Sequence, residues 1–217
     1  MSDAVWYVAY GSNLLLERFA CYILGGKAPG CTRRNRGARD HAPPQAEAAM
    51  FVDRPLYFAR SASSWQRGGV AFVDPEPGPA AETLARPYLI TREQFVDLLR
   101  QENDDPEADC DPAAVQAAGG ILRVSEGWYG SVLLLGEVDG APLLTFTDGG
   151  GALNADIRAP SKPYLQCMIA GLRETFGLNK QGVRKYLEPL PGIHGTYPGP
   201  ALNKAFAASD ALLDQAE

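Results

Sequence analysis

The sequence predicts one mixed α/β domain whose sheet is not assembled mainly from β-α-β units. Three observations point there. Short apolar runs bounded by Gly, Pro, Asn and Asp recur along the chain, as strands do. Two longer segments, 91–102 and 161–176, carry apolar residues at helical spacing behind a capping residue. The two kinds of segment do not alternate regularly, and neither an internal repeat nor a clean linker divides them. The bulk numbers agree. A chain of 217 residues that is 46% hydrophobic and 21% charged suits one sizeable core, and 23 glycines with 17 prolines imply many turns.

Residues 5–10 (VWYVAY) read as a buried strand. Residues 14–24 read as a helix, with Asn13 as its N-cap and Gly25-Gly26 ending it. Residues 29–46, rich in Arg, Pro and Gly, form a loop. Strands follow at 55–59 and 70–73, joined by SASSWQRGG, and at 84–90, where Pro87 implies an edge or a bulge. Thr91 and Gln94 fit a capping box for a helix that runs to about Glu102 and dissolves into NDDPEADCDP. Strands at 131–138 and 143–147 flank DGAP, a hairpin turn. A glycine-rich loop leads to a helix capped by Ser161. Its apolar face carries Leu165, Met168, Ile169, Leu172 and Phe176, and Gly177 stops it. Helical pieces at about 179–188 and 200–215 complete the chain.

Net charge is −6, so the surface as a whole does not attract nucleic acid or anionic membrane. The first residues lack the basic and apolar regions of a signal peptide, and no stretch approaches the roughly 20 apolar residues of a membrane span. Cys21, Cys31, Cys110 and Cys167 do not stand at metal-ligand spacing. The expectation is a reduced, cytoplasmic protein without a metal site, and with neither a nucleic-acid nor a membrane partner. Its oligomeric state is not readable.

One carboxylate stands out. On the helix 91–102, Phe95, Leu98 and Leu99 occupy the apolar stripe, and the next position of that stripe is Glu102. Arg92, Asp97, Arg100 and Gln101 fall mostly on other faces. Either the helix frays there and Glu102 turns to solvent beside Asp104 and Asp105, or Glu102 lines a pocket, where desolvation suits a carboxylate to proton transfer near neutral pH. Ser12 resembles a nucleophile, but AYGSNL is not the G-x-S-x-G elbow, and the two histidines, His41 and His194, lie in proline- and glycine-rich loops. The acidic run 104–111 lacks the glycine and closing glutamate of a calcium loop. Arg33, Arg34, Arg36 and Arg39 have no interleaved aromatics and read as a solvated loop or as local ion pairs. DGGGA (148–152) is not a phosphate cradle. Tyr164 reads as a half-buried core residue, and Gly171 on the same helix invites close packing.

The stretch YGSN at 10–13 joins a strand to a helix N-terminus, where the backbone N–H groups of Ser12, Asn13 and Leu14 suit a carboxylate or a developing oxyanion. A buried glutamate nearby suits proton transfer from an amine. With these features the sequence resembles the γ-glutamylcyclotransferase-like family. YVAYGSNL is similar to its N-terminal glycine-loop signature, SASSWQRGGVAFV to its next strand, and ARPYLITREQFVDLLRQEN to the strand and helix that end in its catalytic glutamate. WYGSVLLLGEVDG is similar to its following strand pair, and APSKPYLQCMIAGLRE to its C-terminal helix. The family's glutamate is usually followed by glycine; here Asn103 follows. Insertions near 29–46 and 103–120 also depart from its better-known members.

The resemblance implies a single domain over 1–217 with a small, barrel-like mixed sheet surrounded by helices. It implies a reaction in which the α-amine of a γ-glutamyl amide or peptide attacks its own γ-carbonyl, releasing 5-oxoproline and an amine or amino acid, without metal or organic cofactor. Glu102 is then the general acid/base. The backbone amides of Gly11, Ser12, Asn13 and Leu14 hold the glutamyl carboxylate or the oxyanion, and Tyr10 and Tyr129 are pocket walls or phenol donors. An ordinary α-amino group titrates about 3.5 units above an ordinary glutamate, so the proton transfer costs about 5 kcal/mol unless the site narrows the gap. Two alternatives stay open: a non-catalytic binding module for a glutamyl-like molecule, and an amide hydrolase that uses Ser12. Dipeptides, glutathione, γ-glutamyl-amines and acylated antibiotic precursors all fit as substrates.

Overall fold

A computed structural model describes residues 3–79 and 81–214. In chain order they form β1 (Ala4–Ala9), α1 (Leu16–Leu24), β2 (Ala46–Glu47), β3 (Met50–Val52), β4 (Leu56–Ala62), β5 (Gly68–Val73), β6 (Thr83–Thr91), α2 (Arg92–Asn103), α3 (Pro112–Ala117), β7 (Ile121–Arg123), β8 (Ser131–Val138), β9 (Ala141–Thr147), α4 (Lys162–Phe176), α5 (Lys180–Leu187), α6 (Gly199–Ala208) and α7 (Asp210–Leu213). The expected last helix is thus two, and residue 215 lies outside the described residues.

The main sheet is mixed. β1 runs antiparallel to β6 on one side and parallel to β9 on the other, along the path β2-β6-β1-β9-β8-β7, with β3 also on β6. Its end strands do not meet, so the barrel-like core that the resemblance implies is an open sheet among the described residues. β4 and β5 form a separate hairpin. Both faces of β1 are covered. Val5, Tyr7 and Ala9 enter a core with Phe19, Phe95, Leu98 and Leu99, whereas Val8 and Tyr10 enter a second core with Phe58, Phe72 and α4. Burial on both faces explains why the strand is an apolar run rather than an alternating one.

Three local expectations need correction. Pro87 is not on an edge strand: β6 has neighbours on both sides, and the Pro87 carbonyl accepts from the Ala48 N–H on the side where β2 gives way to β3. Glu47 opposite Tyr88 and Met50 opposite Ala85 keep one register, so Pro87 withholds the bond that would return to Ala48, and the partner strand is interrupted there. Asn13 does not cap α1. It sits in a short 3-10 turn, Ser12–Leu14, and α1 starts after Leu15 with no side-chain cap. The 103–120 insertion is not all loop: Asp111 caps α3 through the Ala113 N–H, and 121–123 adds strand β7. Asp97 and Gln101, which lie off the apolar stripe, are nonetheless buried, because the arginine-rich loop covers that side of α2 and supplies partners to both.

Three other local cues hold. Thr91 and Gln94 make both bonds of the capping box. Asp139 and Gly140 turn the β8–β9 hairpin with φ of 51° and 78°, as a type I′ turn requires. A Cβ on Gly171 would stand 2.4 Å from the Leu14 and Leu15 backbone, so its absence lets α4 press against the 12–14 turn.

Candidate functional site

α2 does not fray at Glu102. It continues to Asn103 and closes on Asp104 in the left-handed conformation, whose N–H donates to the Arg100 carbonyl. Glu102 is half-buried and lines a narrow cavity with Tyr7, Tyr10, Gly11, Ser12, Asn13, Ala71, Tyr129, Phe146 and Tyr164. The turn 10–13 and Glu102, 89 residues apart from Asn13, meet there: the Asn13 amide Nδ2 lies 3.5 Å from Glu102 Oε1 and 3.0 Å from the Tyr7 hydroxyl. This explains the lost helix cap, since the Asn13 side chain is turned across the cavity.

A second donor sets the carboxylate. The Tyr22 hydroxyl donates to Glu102 Oε1 at 2.5 Å and accepts from Arg18 Nη2 at 2.5 Å. Arg18 and Tyr22 stand four residues apart on α1, one turn of one face. Arg18 is 4% exposed, stacks on the Tyr22 ring at 4.3 Å and donates from Nη1 to Asn35. Burial opposes its charge, yet Tyr22 and Glu102 outweigh burial and hold its pKa above the ordinary arginine value. Burial first, and Glu102 next to it, push the Tyr22 phenol well above its ordinary value, so it stays a proton donor. Both bonds converge on Oε1. Glu102 Oε2 has no protein partner among the described residues.

The amides of the turn are not all available. Ser12 N–H donates to the Tyr164 hydroxyl at 3.3 Å, and Leu14 N–H closes the turn on the Gly11 carbonyl. Those of Gly11 and Asn13 make no such bond among the described residues. Leu14 does not line the cavity; its side chain is fully buried and its carbonyl accepts from Arg86. Tyr10 donates to the Phe146 carbonyl and Tyr129 to the Ala71 carbonyl, so both act as walls with their protons engaged. Tyr164 does more than pack: its oxygen accepts from Ser12 and Ala71 N–H, and the Ser12 side chain lies within hydrogen-bond reach of it. Burial pushes it up to about 12, with the two N–H groups pulling the other way. A Cβ on Gly11 would sit 2.7 Å from that oxygen, so the glycine makes room for the phenol.

Arg18, Tyr22, Tyr7 and Ala71 are site residues that sequence reasoning missed. The one signal for the first two is a charged residue and a tyrosine at helical spacing on the apolar side of α1. Neither histidine lines the cavity, so among the described residues Ser12 has no imidazole beside it. Asn103, where the family that the sequence resembles usually has glycine, ties the end of α2 to the 127–129 loop: its side chain donates to the Leu99 and Tyr129 carbonyls and accepts from the Tyr129 N–H at 2.9 Å. Arg39 ion-pairs with Asp97 and Glu93, whereas Arg33 donates to the Gln101 carbonyl, one residue before Glu102. Among the described residues no helix is long and apolar enough to cross a membrane, and no group of three His, Cys, Asp or Glu side chains is placed to hold a metal.

No family model matches the chain. It is 36% identical over 199 residues to "Histone deacetylase 5" of Arabidopsis thaliana, a match that covers 85% of this chain and 30% of that protein. The chain thus spans under a third of the length of the curated relative it matches. Among solved structures, a "Gamma-glutamyl cyclotransferase" aligns with a TM-score of 0.48 and 17% identity over 94% of this chain and 99% of its own. The uncharacterized protein loc79017 from Homo sapiens aligns with a TM-score of 0.49 and 16% identity over 95% and 99%.

Proposed function

We propose that this chain is a γ-glutamylcyclotransferase-type enzyme that converts a γ-glutamyl amide to 5-oxoproline and a free amine, with Glu102 as general acid/base. One observation carries the reading. A half-buried carboxylate, held on one oxygen by two donors and unpartnered on the other, shares a cavity with the 10–13 turn. The ordered motifs from YVAYGSNL to APSKPYLQCMIAGLRE support it independently.

The glutamyl group lies over the turn, with the Gly11 and Asn13 amides and the Tyr164 hydroxyl as donors to its carboxylate or to the oxyanion. Glu102 Oε2 removes a proton from the α-amine. The amine nitrogen forms a bond to the γ-carbon, and the carbonyl oxygen takes up the charge. As the oxyanion collapses, the bond from the γ-carbon to the leaving nitrogen breaks and Glu102 returns its proton to that nitrogen. Tyr22 and Asn13 keep Oε1 occupied, so the same oxygen serves both transfers. No deacetylation is assigned to this chain, because the relative of that name is matched over only 30% of its length.

The test is incubation with γ-glutamyl amino acids while 5-oxoproline and open-chain glutamate are measured separately. Release of 5-oxoproline that falls at least about 100-fold in Glu102→Gln is the expected result. Glutamate release abolished by Ser12→Ala would replace it with a hydrolase, and tight binding without turnover would replace it with a binding module.

A further inference from the structure

A vestibule of about 310 Å³ adjoins the inner cavity and shares Ser12, Glu102, Tyr129 and Tyr164 with it. In the reading above, the leaving part of the substrate departs on this side, because Glu102 stands at the junction. The charges that line the vestibule do not balance. Glu102 is the one carboxylate among the lining residues, against two guanidinium groups, Arg18 and Arg33, leaving one positive charge in excess. Neither arginine has an ion-pair partner within 4.0 Å among the described residues, in a protein whose other arginines commonly do.

Their placement is built rather than incidental. Arg33 follows Thr32, whose N–H donates to the Ser64 carbonyl at 2.9 Å, so two loops that line the vestibule are tied together beside it. The Arg33 side chain then spends one donor on the Gln101 carbonyl, at the end of α2, and keeps the rest of its fork. Deeper in, Arg18 is more than nine-tenths buried, and its Nε has no hydrogen-bond partner. Trp65 forms a buried wall, and Trp128 stands half-exposed at the rim. Arg18 is thus a buried cation without an ion pair at the back of the vestibule, and Arg33 is an exposed one at its mouth, an arrangement that favours a ligand bringing the missing charge.

We propose that the vestibule holds the leaving part of the substrate by a carboxylate, with Arg33 as the residue that selects for it and Arg18 as the second cation behind it. This rests on the cyclotransferase reading and narrows it: γ-glutamyl amino acids and peptides with a free carboxylate are preferred over γ-glutamyl-amines. The arginine-rich loop, which covers α2, is then also the specificity loop.

The experiment compares γ-glutamyl-alanine with γ-glutamyl-alaninamide, which differ only in that carboxylate. KM is measured on the native protein and on Arg33→Gln, and binding of both compounds is measured calorimetrically on Glu102→Gln, which needs no turnover. The expected result is a preference for the acid of roughly 10-fold or more in KM and in Kd. Most of that preference disappears in Arg33→Gln. Cyclisation of both compounds with equal KM would overturn the subsite and leave the reaction standing. Acid-selective binding that depends on Arg33, without 5-oxoproline release, would keep the subsite and overturn the reaction. Neither binding nor turnover of either compound would overturn both.

Discussion

At the scale of single residues, the site depends on which proton each side chain holds. Glu102 accepts from Tyr22 and Asn13 on one oxygen, and Tyr22 accepts in turn from Arg18. The chain from cation through phenol to carboxylate orients Glu102 without placing a positive charge against it: Arg18 and Glu102 form no direct ion pair. Tyr22→Phe removes one donor from Glu102 and one acceptor from a buried guanidinium. A hydrogen bond to a charged group contributes about 1.5–3 kcal/mol, so kcat for 5-oxoproline release should fall roughly 10-fold or more, with KM changed much less. An unchanged kcat would show that Tyr22 only packs.

At the scale of elements, α2 carries the carboxylate, and each end of the helix is secured differently. Its start is closed by the Thr91–Gln94 capping box, a local device visible in four consecutive residues. Its end is held from a distance, by Asn103 bonded to both backbone groups of Tyr129. A Cβ on Gly127 would meet the Asn103 side chain within 2.2 Å, so that loop and this side chain fit each other closely. Replacing Asn103 by glycine loses these bonds and loosens the last helical turn. Asn103→Gly should cost about 2 kcal/mol of stability, read from the urea midpoint, and should raise KM by freeing Tyr129. Wild-type stability and KM in this variant would make the asparagine incidental.

At the scale of the whole molecule, the cavity and the vestibule beside it are a meeting of tyrosines from β1 and the turn after it, α1, the 127–129 loop and α4. Tyr7, Tyr10, Tyr22, Tyr129 and Tyr164 are all pushed above the ordinary phenol value of 10.0, in each case by burial first. The unfolded chain releases these protons near pH 10, whereas the folded protein retains them, Tyr164 to about 12. The folded state binds more protons in that window, so stability is fully present below about pH 10 and is lost as pH rises through the folded values. Thermal unfolding between about pH 9 and 12 should show a steep fall. Tyrosinate absorbance of the cavity residues should appear together with unfolding rather than before it. Early ionisation in a protein that keeps its circular dichroism would contradict this burial. What the sequence by itself determined is what depends on neighbours along the chain: the β1 run, the capping box of α2, the Ser161 cap and Gly177 stop of α4, the I′ hairpin, and Glu102 as a carboxylate on an apolar stripe. Tertiary structure alone decided the rest. Asn13 left its cap to reach Glu102, Leu14 turned into the core, Tyr22 and Arg18 became the carboxylate's support, and an arginine loop buried the polar side of α2. Those outcomes rest on hydrogen bonds between residues tens of positions apart, whose partners are chosen by packing and carry no local signature in the chain.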